Sequence, residues 1–415
     1  MEELCIIESG AVRHIPELVA KYKARKAFLV GDENTYPLAG EAIEGLLKKS
    51  GVEYAKYCFP TTSPEPDEYA VGALMLHYDA SCDIVIGIGS GVINDLCKLL
   101  ASLTGHPFII VATAPSMDGY ASPLSSMARD GLKVSIPTKR AECILADMDI
   151  LKNAPLQMLK SGLGDMLAKY VSILEWRLGA LITGEGYDEE IAASVRQALK
   201  RCVDNAEGLL RREENAVRAV FEGLVLTGEA MKKAGNSRPA SGAEHYYSHL
   251  WDMRGLEFGT PTSLHGLQCA VATKICVSLY HKLKSVRPSR ERALNYASSF
   301  SVSEWNASIR KFLGHAAEPL IELEVREGKY DVQKHSARLE VIIAHYDDIL
   351  AIIEEELPTL TSLDELYCKL DMPTLPPESD VLKMTVMAGK DIRDKYVLPR
   401  LLWDLGVLEE LCEGL

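Results

Sequence analysis

The chain reads as an α/β protein: an N-terminal Rossmann-like parallel-sheet domain over residues 1–153, then an all-helical metal-binding domain over 154–415. Three observations predict this. Short apolar runs alternate with helical patterns through the first third, which implies parallel strands joined by crossover helices. A glycine-rich segment, Gly87-Ile88-Gly89-Ser90-Gly91, follows directly on the apolar run Asp83-Ile84-Val85-Ile86. Beyond about Leu151 the periodicity is helical almost throughout.

Taken in order, Lys26 to Val30 is the first expected strand, ending at Gly31-Asp32-Glu33-Asn34. Leu38 to Lys49 follows as an amphipathic helix, and Tyr54 to Cys58 as the next strand. Asp67 to Tyr78 is helical. Asp83 to Ile88 is a buried strand, and Val92 to Leu103 is the helix after its glycine turn, with Lys98 read as a solvated helix residue. Pro107 to Ala112 is another strand, and the sheet ends near Ala141 to Met148. The later helices are expected at Gly162 to Leu178, Glu189 to Arg211, Ala216 to Lys233, Leu264 to His281 and Ser336 to Glu356. Pro373 to Pro377 reads as a local loop. The active site is expected where the two domains meet.

Composition narrows the partners. A net charge of −14 argues against a nucleic-acid partner, which favours a basic face. It leaves room for an anionic small molecule, because a few local cations dominate a pocket. None of the ten cysteines stands in Cys-x-x-Cys spacing, so a zinc ribbon or thioredoxin-type site is not expected. Met1-Glu2-Glu3-Leu4-Cys5 lacks a basic region followed by an apolar core, and no apolar stretch is long enough for a bilayer. A cytoplasmic protein with reduced thiols and no membrane partner is expected.

The glycines at 87, 89 and 91 let backbone approach a pyrophosphate, and the N-terminus of the following helix favours negative charge. The spacing is not G-x-G-x-x-G, so alone it is equally an ordinary strand-to-helix turn. Asp32 is either a turn carboxylate or an acceptor for ribose hydroxyls, which favours NAD over NADP. The loop Thr113-Ala114-Pro115-Ser116-Met117-Asp118-Gly119-Tyr120-Ala121-Ser122-Pro123 follows a strand at the carboxyl edge where open sheets bind ligands. Thr113 and Ser116 offer hydroxyls there. Asp118-Gly119 is a plain turn signal, or Asp118 binds a substrate hydroxyl.

Three distant stretches each offer one metal ligand: Gly162-Leu163-Gly164-Asp165, Ser241-Gly242-Ala243-Glu244-His245-Tyr246-Tyr247-Ser248-His249, and Leu264-His265-Gly266. One carboxylate and two imidazoles leave a position open for substrate. Taken alone, Asp165 reads first as a helix N-cap. His245 and His249 are four apart and share a helix face, so both bind metal or one carries protons.

These stretches, with Ser237-Arg238-Pro239-Ala240 and Lys390-Asp391-Ile392-Arg393-Asp394-Lys395-Tyr396, resemble the metal-dependent polyol dehydrogenase superfamily. That superfamily includes glycerol dehydrogenase, iron-type alcohol dehydrogenase and dehydroquinate synthase. Within it the resemblance is greatest to the sn-glycerol-1-phosphate dehydrogenase family, bacterial branch. The resemblance implies metal ligands at Asp165, His245 and His265, with zinc, nickel or iron acceptable and zinc or nickel favoured. It implies pyrophosphate contacts at Gly89, Ser90 and Gly91, and nicotinamide-side contacts at Thr113, Ser116 and the neighbouring Ser122. Asp118 would touch the polyol and His249 would relay a proton. Arg238 and Ser241 would hold a substrate phosphate, with Lys390 and Arg393 as alternatives that read equally as surface ion-pair residues. The implied activity is NAD(P)H-dependent, metal-assisted reduction of dihydroxyacetone phosphate to sn-glycerol 1-phosphate, in a homo-oligomer. A dehydrogenase of unphosphorylated polyols, a dehydroquinate-synthase-like lyase and a non-catalytic nucleotide sensor are the alternatives.

Overall fold

The computed structural model describes residues 5–130, 132–374, 378–413 and 415. Residues 1–4 of the N-terminal stretch and 375–377 of the expected loop lie outside the described residues. Eight strands are present among them: β1 (Cys5–Glu8), β2 (Lys26–Asp32), β3 (Glu53–Phe59), β4 (Ile84–Gly89), β5 (Phe108–Ala112), β6 (Leu124–Arg129), β7 (Leu132–Pro137) and β8 (Cys143–Asp147). Six form one sheet in the order β1-β8-β5-β4-β2-β3, with every pairing parallel. β6 and β7 form a separate antiparallel pair.

The two central strands explain the continuous apolar runs in the sequence. Ile84, Val85, Ile86, Ile88 and the whole of β5 are buried, as strands covered on both faces must be. One face carries a core of Ile43, Leu47, Ile86, Ile88 and Ile109. The chain leaves β2 toward β3 on one side and β4 toward β5 on the other, so the order reverses between β2 and β4. Register pairs Val30 with Gly87, which brings the ends of these strands side by side. Open sheets of this kind bind ligands at that switch point.

Two compact units emerge, and each is discontinuous: residues 1–166 with 200–233, and 167–199 with 234–415. This division differs from the expected boundary at 153/154. The helix Leu156–Leu167 falls mostly in the sheet unit, and most of Glu214–Ala234 joins it. The reason is packing within that unit. Phe221 packs against Tyr120 at a tilt, 5.4 Å between ring centres, and Val217, Val220 and Leu224 are buried.

The second unit is helical in all its elements. Three expected helices are interrupted: Leu156–Leu167 gives way to Lys169–Thr183 at Ala168, Glu189–Asp204 to a 3-10 helix Ala206–Leu209 at Asn205, and Val332–Ala344 to Tyr346–Glu356 at His345. Among the described residues, no helix is long and apolar enough to cross a membrane.

Candidate metal centre and nucleotide turn

In the sheet unit, Gly89 ends β4 and Ser90 precedes the helix Gly91–Thr104. A Cβ on Gly89 would lie 2.5 Å from that of Ile93, so only glycine lets the helix start this close to the strand. Ser90 stands at the N-cap without a side-chain cap hydrogen bond, which leaves its hydroxyl and the first amides for an anion. Asp32 ends the adjacent β2. Its Oδ1 accepts the N–H groups of Asn34 and Thr35, both at 2.8 Å, so it builds the turn into the helix Tyr36–Lys49.

The loop after β5 is pinned at both ends. Thr113 donates its N–H to the Gly89 carbonyl, and Tyr120 donates its hydroxyl to the Ala114 carbonyl at 2.7 Å. Ser161 donates to the Ser116 carbonyl at 3.0 Å. Ser122 Oγ accepts the Leu124 N–H. Thr113, Ser116 and Ser122 are all buried. Lys98 corrects its reading as a solvated residue: it is fully buried, pairs with Asp95 at 2.8 Å, and donates to the carbonyls of Gly119 and Leu124. Its ammonium gathers carbonyls that the loop turns inward, which helix periodicity does not reveal.

Asp165 lies near the C-terminal end of the helix Leu156–Leu167, not at its start, so the N-cap reading falls. It is fully buried, and its Oδ2 accepts the Asp118 N–H at 2.9 Å. The same helix needs Gly162, whose Cβ would stand 1.8 Å from the Pro115 carbonyl oxygen. Helix and loop therefore touch backbone to backbone, and Asp118 and Asp165 are neighbours because of it.

The second unit gathers three histidines. His245 and His249 lie on the helix Ala243–Phe258, and His265 opens the helix His265–Leu283. Ring centres are 5.1 Å apart for His245 and His265, and 6.0 Å for His249 and His265. The two proposed ligand rings are each held by Nδ1. His245 Nδ1 is 2.8 Å from Glu244 Oε1, which as a carboxylate accepts. His265 Nδ1 is 3.0 Å from Ser248 Oγ, whose own proton goes to Gln268 Oε1 at 2.8 Å. The Gln268 amide is oriented in turn by donating to Asp252 at 3.0 Å. Both imidazoles thus carry Nδ1–H and present a lone pair on Nε2. This is how metal-binding histidines are set up, and the donor set fits a divalent cation.

A sulfur completes the group. Cys269, one turn on from His265, lies with Sγ 3.6 Å from His265 Nε2. The spacing of histidines was visible in the sequence. Glu244, Ser248, Gln268, Asp252 and Cys269 were missed: Ser248, Gln268 and Asp252 meet only when the two helices pack together, while Glu244 and Cys269 adjoin their histidines on the same helix but form no recognisable ligand spacing.

The segment expected to hold phosphate is clamped by the helix Lys169–Thr183. Lys169 donates to the Ala240 carbonyl, Ser172 to that of Pro239, and Glu175 accepts the Ala243 N–H. Arg238 is buried, and its guanidinium forms a two-pronged ion pair with Glu185 while also donating to the Tyr396 carbonyl at 2.9 Å. Its cationic face is thus spent inside the fold. The cation that meets this segment at Ser241 is one the sequence reading passed over. Lys395 donates to Ser237 Oγ at 2.7 Å and to the Ser241 carbonyl at 3.0 Å. Burial, then the nearby Arg238, pushes its pKa down to about 7. Lys390 is a core residue, not a surface one: it pairs with Asp391 at 2.8 Å and sits 3.3 Å over the Trp305 ring.

Residues 6–155 match the family described as iron-containing alcohol dehydrogenase. The chain is 33% identical over 274 residues to glycerol-1-phosphate dehydrogenase [NAD(P)+] of Halalkalibacterium halodurans, covering 65% of this chain and 69% of that one. It is 32% identical over 306 residues to the enzyme of the same name from Bacillus subtilis, covering 72% and 77%. The Methanosarcina mazei enzyme of that name is 32% identical, covering 66% and 76%. Among solved structures, 1,3-propanediol oxidoreductase superposes with a TM-score of 0.64 at 13% identity, covering 99% and 97%. A probable glycerol dehydrogenase from Sinorhizobium meliloti gives 0.61 at 13% identity, covering 100% and 98%. The likeness to these two structures is one of fold.

Proposed function

The chain belongs to the glycerol-1-phosphate dehydrogenase family, and from that premise we propose that it reduces dihydroxyacetone phosphate to sn-glycerol 1-phosphate with NADH or NADPH, reversibly. The observation that carries this reading is the pair His245 and His265, each tethered at Nδ1 and presenting Nε2 beside the other. When bound, a divalent cation, zinc or nickel by preference, supplies a Lewis acid for the ketone oxygen, and a nicotinamide supplies the hydride.

The chain's own residues do the rest. Asp165 joins His245 and His265 as the third ligand in this reading. Glu244 and Ser248 keep the two rings in one tautomer. Gly89, Ser90 and Gly91 cradle the pyrophosphate, while Thr113, Ser116 and Ser122 shape the nicotinamide side and Asp32 faces the adenosine ribose. Asp118 accepts from a substrate hydroxyl. His249 delivers the proton that the oxygen of C2 takes up as hydride reaches that carbon. For the substrate phosphate we assign Lys395 with Ser241, in place of Arg238. Supporting this are the hydrogen bond from Lys395 to Ser241 and the commitment of Arg238 to Glu185. We further propose a cytoplasmic homo-oligomer that feeds phospholipid synthesis and has no nucleic-acid or membrane partner.

The test is NADH oxidation by metal-reconstituted protein with dihydroxyacetone phosphate, followed by chiral analysis of the product. Turnover that yields the sn-1 phosphate supports the reading. Equal turnover of unphosphorylated dihydroxyacetone, or the opposite enantiomer, overturns it.

A further inference from the structure

Cys269 takes no part in the function proposed above, yet it stands inside the histidine group. It lies four residues along the helix His265–Leu283 from His265, so the two side chains share a face. One donor atom from each of His245, His265 and Cys269 lies within 4.8 Å of the others. The thiol is fully buried, and Cys269 Sγ is 3.6 Å from His265 Nε2. That spacing is informative. Zinc–nitrogen and zinc–sulfur bonds of about 2.0–2.1 and 2.3 Å, at a tetrahedral angle, put their outer atoms about 3.6 Å apart.

We propose that Cys269 is a ligand of the cation held by His245 and His265, so that the helical unit offers a sulfur and two nitrogens from its own two helices. The proposal rests on the reading of these histidines as ligands. Binding breaks the S–H bond, releases that proton to solvent and forms a sulfur–metal bond, with no change of oxidation state. A thiolate in the set selects zinc and other thiophilic ions over magnesium or manganese, whose preferred ligands are oxygens. Cys269 would thus give the helical unit three donors of its own for the cation.

The experiment is reconstitution of the full-length metal-free protein with cobalt(II), read by absorption. The wild type is expected to show visible ligand-field bands and a near-ultraviolet thiolate-to-cobalt charge-transfer band. Cys269→Ser is expected to keep the visible bands, lose the charge-transfer band, and bind cobalt at least about tenfold more weakly. Zinc-edge X-ray absorption of the wild-type zinc form gives an independent readout that needs no variant. One sulfur at about 2.3 Å among nitrogen and oxygen neighbours is expected. Visible bands without a charge-transfer band, or a zinc shell without sulfur, overturn the role of Cys269 and leave the histidine reading standing. A charge-transfer band that survives in Cys269→Ser overturns it as well. Failure of the wild type to bind cobalt overturns both.

Discussion

Ser248 Oγ lies 3.0 Å from His265 Nδ1, seventeen residues away in the chain, and decides which nitrogen of that ring faces outward. Its hydroxyl proton is committed to Gln268, so its oxygen accepts the ring N–H. Removing the hydroxyl with Ser248→Ala frees the ring to adopt the other tautomer. Metal affinity is expected to fall about 10–100-fold. Competition with a chromophoric chelator measures it, and unchanged affinity would show that the hydroxyl does not set the ring.

Gly162→Ala places a methyl 1.8 Å from the Pro115 carbonyl oxygen, a backbone atom that cannot swing aside. Helix and loop must separate, at a cost of about 1–3 kcal/mol. NADH affinity is expected to drop with stability, because the same loop carries Thr113 and Ser116. Thermal unfolding and NADH titration check both, and a variant with wild-type values in each would show that the contact is slack.

Arg238→Met leaves the Glu185 carboxylate without its cation. Breaking a fully buried pair costs about 3–5 kcal/mol, and the 28% exposure of the Glu185 side chain brings the expected loss to roughly 2 kcal/mol. KM is expected to change alike for dihydroxyacetone and its phosphate. A rise confined to the phosphorylated ketone would restore Arg238 to the phosphate.

Lys395→Met is expected to raise KM for dihydroxyacetone phosphate about tenfold or more at pH 6, with little effect on dihydroxyacetone. With its pKa pushed down to about 7, the wild-type ammonium is charged below that pH and neutral above. Wild-type KM for the phosphate should therefore climb between pH 6 and 8, while that of the variant stays high and flat. Linkage gives a second sign. Between about 7 and 10.5 the unfolded chain binds the extra proton, so this group adds stability as pH rises through that window. A wild-type profile that stays level across pH 7 would remove Lys395 from phosphate binding.

The strands that hold the cofactor turn were legible, because β4 and β5 are buried on both faces and read as unbroken apolar runs. β1 and the β6–β7 pair were not. Cys5–Glu8 is four residues long and becomes a strand only by pairing with Cys143–Asp147 far along the chain. The histidines announced themselves by spacing within one helix and by their glycine-flanked contexts. Ser248 did not, since tertiary packing brings the His265 ring to it from the next helix, and neither did Glu244 or Cys269, whose places beside the histidines match no familiar ligand spacing. Arg238 was expected at the phosphate because its segment resembles the one that sets this family apart from phosphate-free glycerol dehydrogenases, and its ion-pair partner Glu185 sits on a different loop. Lys395 was hidden for the opposite reason: its target, the Ser241 carbonyl, is 154 positions upstream.

The polypeptide passes from one unit to the other three times, at 166/167, 199/200 and 233/234. A freestanding nucleotide-binding fragment therefore cannot be cut out with one pair of scissors. Ending a truncated gene at residue 166 discards Val217, Val220, Phe221 and Leu224, and bares the greasy flank they seal. A soluble minimal version has to be spliced from both pieces, with a short bridge in place of residues 167–199.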